Sequence, residues 1–112
     1  MWATWCKPCI KEFPDLAILK EEYKNENIQF VSISTDETRD AWINYVEKEG
    51  LSGAQFWADN NNKKIFNTAF NINMIPRFIL LDGEGNIINA NAPRPSSGQE
   101  IRKLLNNSLK SE

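Results

Sequence analysis

The chain contains only two cysteines, Cys6 and Cys9, and two residues separate them. They stand directly before a stretch whose apolar spacing is typical of a helix. A Cys-x-x-Cys at a helix start places the first sulfur beside backbone N–H groups that lack partners, and the helix dipole favours a thiolate there. The second sulfur lies almost one turn further on, close enough to attack a mixed disulfide. The spacing therefore predicts thiol–disulfide exchange, in which Cys6 attacks a substrate and Cys9 resolves the intermediate.

The same pair can reduce disulfides or oxidise dithiols, and the pattern leaves the direction of electron flow open. Thiol pKa values in such motifs extend from about 8.5 down to about 3.5, so local tuning decides the direction. Lys7 lies between the cysteines, and its positive charge favours a thiolate at Cys6. We expect this share to be small because Lys7 is expected to be solvated. Pro8 suits the first helical turn, where its missing N–H has no cost.

Other uses of two cysteines have less support. A zinc site needs two further soft ligands, and the chain has no third cysteine and no histidine, so we expect no metal site. A zinc site shared by two copies, and two free cysteines packed as small hydrophobes, stay open as alternatives. A stabilising bridge is a weak interpretation because it would close so short a loop. The absence of histidine also argues against Ser-His-Asp and Cys-His catalysis.

The bulk composition limits the remaining function classes. A length of 112 residues, with 41% hydrophobic and 25% charged residues, predicts one globular domain with one modest core. The formal net charge is −2 and no basic run is present, which argues against nucleic-acid binding. No apolar run approaches the roughly 20 residues that span a bilayer, and no signal peptide is present in this chain.

The rest of the pattern alternates helices and strands, which favours α/β layering with an antiparallel hairpin near the end. The predicted helices are one from Cys6 that Pro14 kinks, one capped by Thr35 or Asp36 and ended by Gly50, one at 63–70, and one at 99–109 with Ser97 as a cap. The second of these helices is expected to bury Ala41, Trp42, Tyr45 and Val46. The predicted strands lie at 28–34, 54–58, 77–81, which is expected to be buried, and 87–90, with turns at 59–62 and 82–86.

Three segments, WATWCKPCIKEFP at 2–14, FVSISTDE at 30–37 and NINMIPRFILLDGEGNII at 71–88, resemble the TlpA/ResA-like branch of thioredoxin-fold thiol-disulfide oxidoreductases. The resemblance implies an α/β thioredoxin-like three-layer sandwich with a mixed sheet and a C-terminal antiparallel hairpin, forming a single domain over residues 1–112. It implies a redox-active disulfide that needs no cofactor, protein thiol or disulfide substrates, and an upstream thiol-disulfide donor. It also implies a place in the bacterial periplasm or cell envelope, as a reductant in a pathway such as cytochrome c maturation.

The resemblance assigns roles to individual residues. Cys6 matches the exposed nucleophile, Cys9 the resolving cysteine, and Trp5 the tryptophan that packs beside the disulfide. Pro76 matches the proline that follows a cis peptide bond and faces the cysteines; the alternative is an ordinary trans proline at the start of a strand. The backbone of Ile75 would then pair with an extended substrate segment, in the manner of strand addition.

Three charged residues extend the predicted site. Glu12 stands three residues after Cys9, and the ResA-like branch has a glutamate there with a part in proton handling. A buried carboxylate could relay the proton that Cys9 loses, and the alternative is a solvated surface glutamate. Lys7 and Arg77 replace residues common in the family, and we expect both to bias substrate choice towards acidic partners. Lys7, Arg77 and Pro8 join Trp5 and Ile75 as the predicted substrate contacts.

The chain departs from the family pattern at its start. In the family a central strand runs into the Trp-Cys-x-x-Cys segment, whereas here Met1 is followed at once by Trp2. That strand should lie between the strands at 28–34 and 77–81. Three interpretations are open: a truncated N-terminus, which we favour, direct closure of the two strands, or a gap filled by another chain in a strand-sharing homodimer.

Two other functions stay open at this point. The first is a non-catalytic thioredoxin-like binding module whose cysteines are idle or permanently bridged. The second is a peroxiredoxin-type peroxidase, although the Pro-x-x-x-Thr-x-x-Cys context that such enzymes require is absent here.

Overall fold

The computed structural model describes residues 1–110, which divide into two compact units. The first unit contains residues 1–11 and 29–77, and the second contains residues 12–28 and 78–110. The elements are α1 Lys7–Lys11, α2 Phe13–Glu22, β1 Val31–Ser34, α3 Arg39–Glu49, β2 Ala54–Trp57, α4 Asn60–Ala69, β3 Leu80–Leu81, β4 Ile87–Asn89, a 3₁₀ turn Pro95–Ser97 and α5 Gln99–Lys110.

The first unit is built on a parallel pair of strands. β1 pairs with β2 in a register that runs from Val31 opposite Ala54 to Ser34 opposite Trp57. The predicted strand at 28–34 is therefore wrong in its first three residues, because pairing begins only where β2 begins. The predicted strand at 54–58 is confirmed over four of its five residues.

Residues 1 and 2 extend the hydrogen bonding of this unit on the other side of β1. Trp2 forms a parallel bridge with Ser34, and its N–H donates to the carbonyl of Ile33 at 3.1 Å. The amino group of Met1 donates to the carbonyl of Arg77 at 2.7 Å, and the N–H of Arg77 donates to the carbonyl of Met1 at 3.3 Å. These two residues thus lie between β1 and the chain at Arg77. The three interpretations of the missing strand stay predictions.

The helices of the first unit begin at caps that differ from the predicted ones. Thr38, not Thr35 or Asp36, caps α3, and its hydroxyl accepts from the N–H of Ala41 at 3.2 Å. Asp59 caps α4 by accepting from the N–H of Asn62 at 2.8 Å. The helix therefore starts at residue 60 instead of 63, and the predicted polar turn is its first turn.

The end and the buried side of α3 were largely predictable. Gly50 ends α3 in the left-handed conformation with φ of 62°, which confirms the predicted stop. Trp42 is buried as predicted, and Tyr45 and Val46 are half-buried. Ala41 was predicted to be buried but lies exposed.

The second unit begins with α2. The predicted kink takes the form of an interruption at Glu12, which separates α1 from α2. Pro14 lies in the first turn of α2, where it has no N–H to donate to the carbonyl of Ile10. Leu19 is the fully buried side chain of α2, whereas Ala17 is exposed.

The hairpin of the second unit is shorter than predicted. β3 and β4 pair antiparallel, with Leu80 opposite Asn89 and Leu81 opposite Ile87. The predicted buried strand at 77–81 is wrong in length and burial, because β4 offers only three residues to pair with and Leu81 is 43% exposed. The predicted turn at 82–86 is confirmed, and the carboxylate of Asp82 closes it by accepting from two backbone N–H groups.

α5 packs its apolar side inward through Ile101 and Leu105. The predicted cap is confirmed because the hydroxyl of Ser97 accepts from the N–H of Ile101 at 3.1 Å. Across to α2, Arg102 forms two hydrogen bonds with the carboxylate of Glu22 at 2.9 Å. Within residues 1–110, no helix has the length and the apolar composition needed to cross a bilayer.

Candidate redox-active site

Cys6 and Cys9 form a disulfide at the start of α1. Their Cα atoms are 5.3 Å apart, and both residues are almost fully buried, with 3% and 2% of their surface exposed. The expectation that Cys6 is exposed is therefore wrong for this disulfide-bonded form, because the turn before α1 and the bridge to Cys9 cover it. The prediction that the two sulfurs lie close enough to bond is confirmed. The two alternatives with reduced cysteines, free thiols in a core and a zinc site, do not describe this arrangement.

The first sulfur has a backbone donor. The N–H of Cys9 donates to Sγ of Cys6 at 3.2 Å, and the N–H of Ile10 donates to the carbonyl of Cys6 at 3.1 Å. Cys6 therefore takes the position of an N-cap, with its sulfur where a serine or aspartate oxygen would usually lie. Because α1 has only five residues, the N–H of Cys9, more than a long helix dipole, supplies the positive potential at the sulfur.

A tight turn brings the chain into this position. The N–H of Cys6 donates to the carbonyl of Ala3 at 3.0 Å, which closes a turn with Thr4 and Trp5 at its centre. Ala3 is fully buried, whereas Trp5 is 69% exposed. The turn therefore presents a large aromatic side chain to solvent directly before Cys6. The predicted role of Trp5 beside the disulfide stays a prediction.

A buried carboxylate holds the same turn. Asp36, only 3% exposed, accepts from the N–H of Thr4 at 3.1 Å to each oxygen and from its hydroxyl at 2.7 Å. The hydroxyl of Ser34 donates to the second oxygen of Asp36. Sequence reasoning assigned Asp36 to a helix cap and missed this contact. The available signal was three consecutive polar residues at the end of a strand, 34–36, which the fold buries.

The Ile75–Pro76 peptide bond is cis, which confirms the expectation drawn from the resemblance. Both residues are half-buried, and Met74 before them is 74% exposed. The guanidinium of Arg77 donates to the carbonyls of Phe70 at 3.2 Å and Asn71 at 3.4 Å, beyond the end of α4. The roles of Ile75, Pro76 and Arg77 towards a substrate stay predictions.

Glu12 is not a solvated surface residue, so that alternative is wrong. It is 6% exposed, and its carboxylate accepts from the N–H of Ser96 at 2.9 Å and from the Ser96 hydroxyl at 2.8 Å. Sequence reasoning missed Ser96, because no local pattern links a serine in the loop before α5 to a residue 84 positions earlier. The part of Glu12 in proton transfer stays a prediction.

The two residues between the cysteines face solvent. Lys7 and Pro8 are exposed on the first turn of α1, which confirms that Lys7 is solvated. Their contact with a substrate stays a prediction. In the part of the chain that the structure describes, no three His, Cys, Asp or Glu side chains are grouped so that they could hold a metal ion.

Comparisons with known proteins agree with this geometry. A family model described as thioredoxin-like matches residues 1–87. The chain is 33% identical over 87 residues to the thiol-disulfide oxidoreductase ResA of Bacillus thuringiensis strain Al Hakam, a match that covers 78% of this chain and 49% of that protein. ResA of Bacillus thuringiensis subsp. konkukian strain 97-27 is 29% identical over 109 residues, which cover 97% of this chain and 58% of that protein. The chain thus spans about half the length of the curated relatives it matches.

Solved structures show the same fold. The crystal structure of a Bacteroides vulgatus protein described as a thiol-disulfide oxidoreductase matches with a TM-score of 0.80 and 41% identity, covering 96% of this chain and 74% of that one. A solution structure with the same description, also from Bacteroides vulgatus, matches with a TM-score of 0.78 and 44% identity, covering 95% and 70%. These likenesses confirm the predicted thioredoxin-like α/β fold.

Proposed function

Because the chain belongs to the TlpA/ResA-like family of thioredoxin-fold proteins, we propose that it is a thiol-disulfide oxidoreductase that exchanges electrons with protein disulfides through Cys6 and Cys9. The observation that carries the proposal is the Cys6–Cys9 disulfide at the start of α1, with a backbone N–H directed at the first sulfur. That N–H favours the thiolate form of Cys6 once the disulfide is reduced, which is the form that attacks a disulfide.

The exchange runs in two balanced steps. In the reduced protein, the Cys6 thiolate attacks one sulfur of a substrate disulfide; a mixed disulfide forms, and the other substrate sulfur leaves as a thiolate. Cys9 then gives up its proton and attacks Sγ of Cys6, so that the mixed disulfide breaks and the second substrate sulfur leaves. The substrate gains two electrons, and Cys6 and Cys9 return to the disulfide. In the opposite direction the pair oxidises a substrate dithiol.

Glu12 is the candidate acceptor for the proton of Cys9 in the second step. Its support is the resemblance, the spacing of three residues from Cys9, and a burial that keeps its carboxylate away from bulk water. The two hydrogen bonds from Ser96 hold the carboxylate in one place. A fixed and partly desolvated carboxylate is better suited to proton transfer than a mobile one in water.

The substrate surface is proposed to include Trp5, Lys7, Pro8, Ile75 and Pro76, with Arg77 beside them. An exposed tryptophan beside the nucleophile offers apolar contact, and the backbone of Ile75 offers hydrogen bonds to an extended segment. Lys7 is exposed and adds positive charge, which favours acidic segments near the substrate disulfide.

We place this activity in the bacterial cell envelope, as a reductant supplied by an upstream thiol-disulfide donor. The support is the likeness to proteins named ResA, together with the resemblance of residues 2–14 to the exported branch of the family. The proposed uses are the reduction of wrong disulfides and the reduction of disulfides whose thiols are needed for cytochrome c maturation.

The test is the reduction of insulin disulfides with dithiothreitol as electron source. We expect the chain to accelerate insulin precipitation, the Cys6→Ser variant to be inactive, and the Cys9→Ser variant to accumulate a mixed disulfide visible by non-reducing electrophoresis. Circular dichroism on each variant shows that the protein is folded. Unchanged activity in folded Cys6→Ser, or no activity in the unsubstituted chain, would contradict the proposal.

A further inference from the structure

We propose that Asp36 is a positioning residue for Cys6 and that it acts through the backbone N–H and the hydroxyl of Thr4. This inference rests on the proposed function of the Cys6–Cys9 pair and assigns a role to a buried carboxylate outside the Cys-x-x-Cys motif. Asp36 does not touch the sulfur in this assignment; it sets the geometry of the turn that delivers the sulfur.

The carboxylate of Asp36 is committed to this turn. Burying a carboxylate is costly unless hydrogen bonds replace its water, and here the donors are the N–H and hydroxyl of Thr4 and the hydroxyl of Ser34. Asp36 was predicted to cap α3, but Thr38 takes that role. Helix capping, the common role of an aspartate that follows a strand, therefore does not explain Asp36. Its contact with Thr4 needs another explanation.

Asp36 contacts Thr4 in the turn that directly precedes Cys6. Thr4 is the second residue of the turn that Cys6 closes through its N–H to the carbonyl of Ala3. The sulfur of the same Cys6 accepts from the N–H of Cys9 at 3.2 Å. Because a hydrogen bond weakens steeply as its angle closes, a turn that is free to tilt would lose part of this N–H···S contact. Holding Thr4 thus preserves the donor that stabilises the Cys6 thiolate.

Asp36 is itself held in place by its own unit. Its N–H donates to the hydroxyl of Ser34 at 3.0 Å, and its carbonyl accepts from the indole N–H of Trp57 at 2.8 Å. Ser34 is fully buried in β1, and Trp57 lies in the partner strand β2. The contact to Thr4 therefore ties the turn to a rigid pair of strands, which is the support that a precisely placed reactive group requires.

A positioning role and a purely electrostatic role predict opposite results. A nearby negative charge disfavours a thiolate, so removing the charge alone would make Cys6 more reactive. Loss of positioning weakens the N–H···S contact and makes Cys6 less reactive. The sign of the change in Cys6 reactivity therefore separates the two.

The experiment measures the alkylation rate of Cys6 by iodoacetamide as a function of pH, in a Cys9→Ser background so that one thiol reacts. Asp36→Ala removes both acceptor oxygens, Thr4→Val removes one donor without changing side-chain size, and Asp36→Asn removes the charge but keeps one acceptor oxygen. Thr38→Val is the matched control, because it too replaces a threonine hydroxyl in the same unit; that hydroxyl accepts from the N–H of Ala41, away from the turn.

We expect Asp36→Ala to lower the alkylation rate at neutral pH about tenfold, which corresponds to a rise of about one unit in the pKa of Cys6. Thr4→Val should lower it less, Asp36→Asn should recover part of the loss, and Thr38→Val should change only thermal stability. At a pH where the thiol is fully ionised, all variants should react at similar rates. If Asp36→Ala does not fold, Thr4→Val decides.

Two results would overturn the inference: a pH profile for folded Thr4→Val that matches that of the Cys9→Ser parent, or faster alkylation in both Asp36 variants. The readout needs no catalytic turnover. A chain that fails to reduce insulin would therefore contradict the proposed function. The alkylation profiles would still decide whether Asp36 positions Cys6.

Discussion

The carboxylate of Glu12 accepts two hydrogen bonds from Ser96, one from its backbone N–H at 2.9 Å and one from its hydroxyl at 2.8 Å. One residue therefore occupies both oxygens of a side chain that is 6% exposed. The two residues are 84 positions apart in the sequence, so the contact joins the start of α2 to the short 3₁₀ turn before α5. It gives Glu12 a structural role that is independent of any part in catalysis.

The structural part can be measured alone with Ser96→Ala. This change removes the hydroxyl donor and keeps the backbone N–H, so we expect a loss of about 1 kcal/mol in the free energy of unfolding. Ser108→Ala is the control, because it removes a hydroxyl that donates only to the carbonyl of Leu104 within α5. Urea unfolding compares the two. Equal losses in both variants would mean that the contact to Glu12 adds no specific stability.

The catalytic part can be measured with Glu12→Gln in a single-turnover experiment. If the carboxylate takes the proton of Cys9, resolution of the mixed disulfide should slow by about 100-fold, while the first attack by Cys6 should keep its rate. Glu22→Gln, at the end of α2, is the control, since Glu22 is bound to Arg102 and lies at the surface. Rapid acid quenching followed by mass spectrometry separates the two steps. An unchanged resolution rate would leave Glu12 with its structural role only.

The features that could be predicted from the sequence are those specified by neighbouring residues. The spacing of Cys6 and Cys9 fixes their bridge, and Gly50 ends α3 because glycine alone takes the left-handed conformation without strain. The Asp82 turn and α5 carry equally local signals. The match to a known family adds the cis bond before Pro76, which no pattern of spacing could give.

The features that could not be predicted depend on partners distant in the sequence. Asp36 follows a strand and precedes a helix, so local reasoning makes it a cap, yet its carboxylate finds Thr4, 32 positions earlier. Leu81 was expected to be buried because its strand is apolar, but β4 covers too little of it. Ser96 carries no signal of its own. In each case the partner, not the residue, decides the role.

Substrate charge preference should depend more on Lys7 than on Arg77. Lys7 is exposed on α1, whereas the guanidinium of Arg77 is already bound to the carbonyls of Phe70 and Asn71. We expect Lys7→Glu to slow the reduction of an acidic disulfide peptide severalfold at low salt, and the difference should shrink as ionic strength rises. Stopped-flow reduction of matched acidic and basic peptides measures this.

The same peptides test Arg77. Arg77→Gln should mainly lower stability, by about 1 kcal/mol, because two carbonyl groups lose a charged donor. A larger change in peptide preference for Arg77→Gln than for Lys7→Glu would reverse this assignment.

The amino group of Met1 makes stability depend on pH in a polypeptide that begins at this residue. Burial, with a smaller effect from the charge of Arg77, lowers the pKa of this group from 8.0 to about 6. The unfolded chain therefore binds more protons than the folded one between these values, so stability should rise with pH across this window. Below about pH 6 the full penalty applies, and two pKa units correspond to about 3 kcal/mol.

Acetylation of the N-terminus isolates this effect. It removes the charge and leaves an N–H that can still donate to the carbonyl of Arg77, where the donor now lies at 2.7 Å. We expect the acetylated chain to be more stable at pH 5, and the two chains to converge above pH 8 because the free amine is then neutral in both states. Urea unfolding at a series of pH values measures the difference. A difference that stays constant from pH 5 to pH 9 would show that the charge of the amino group is not the cause, since only its titration can make the two curves approach each other.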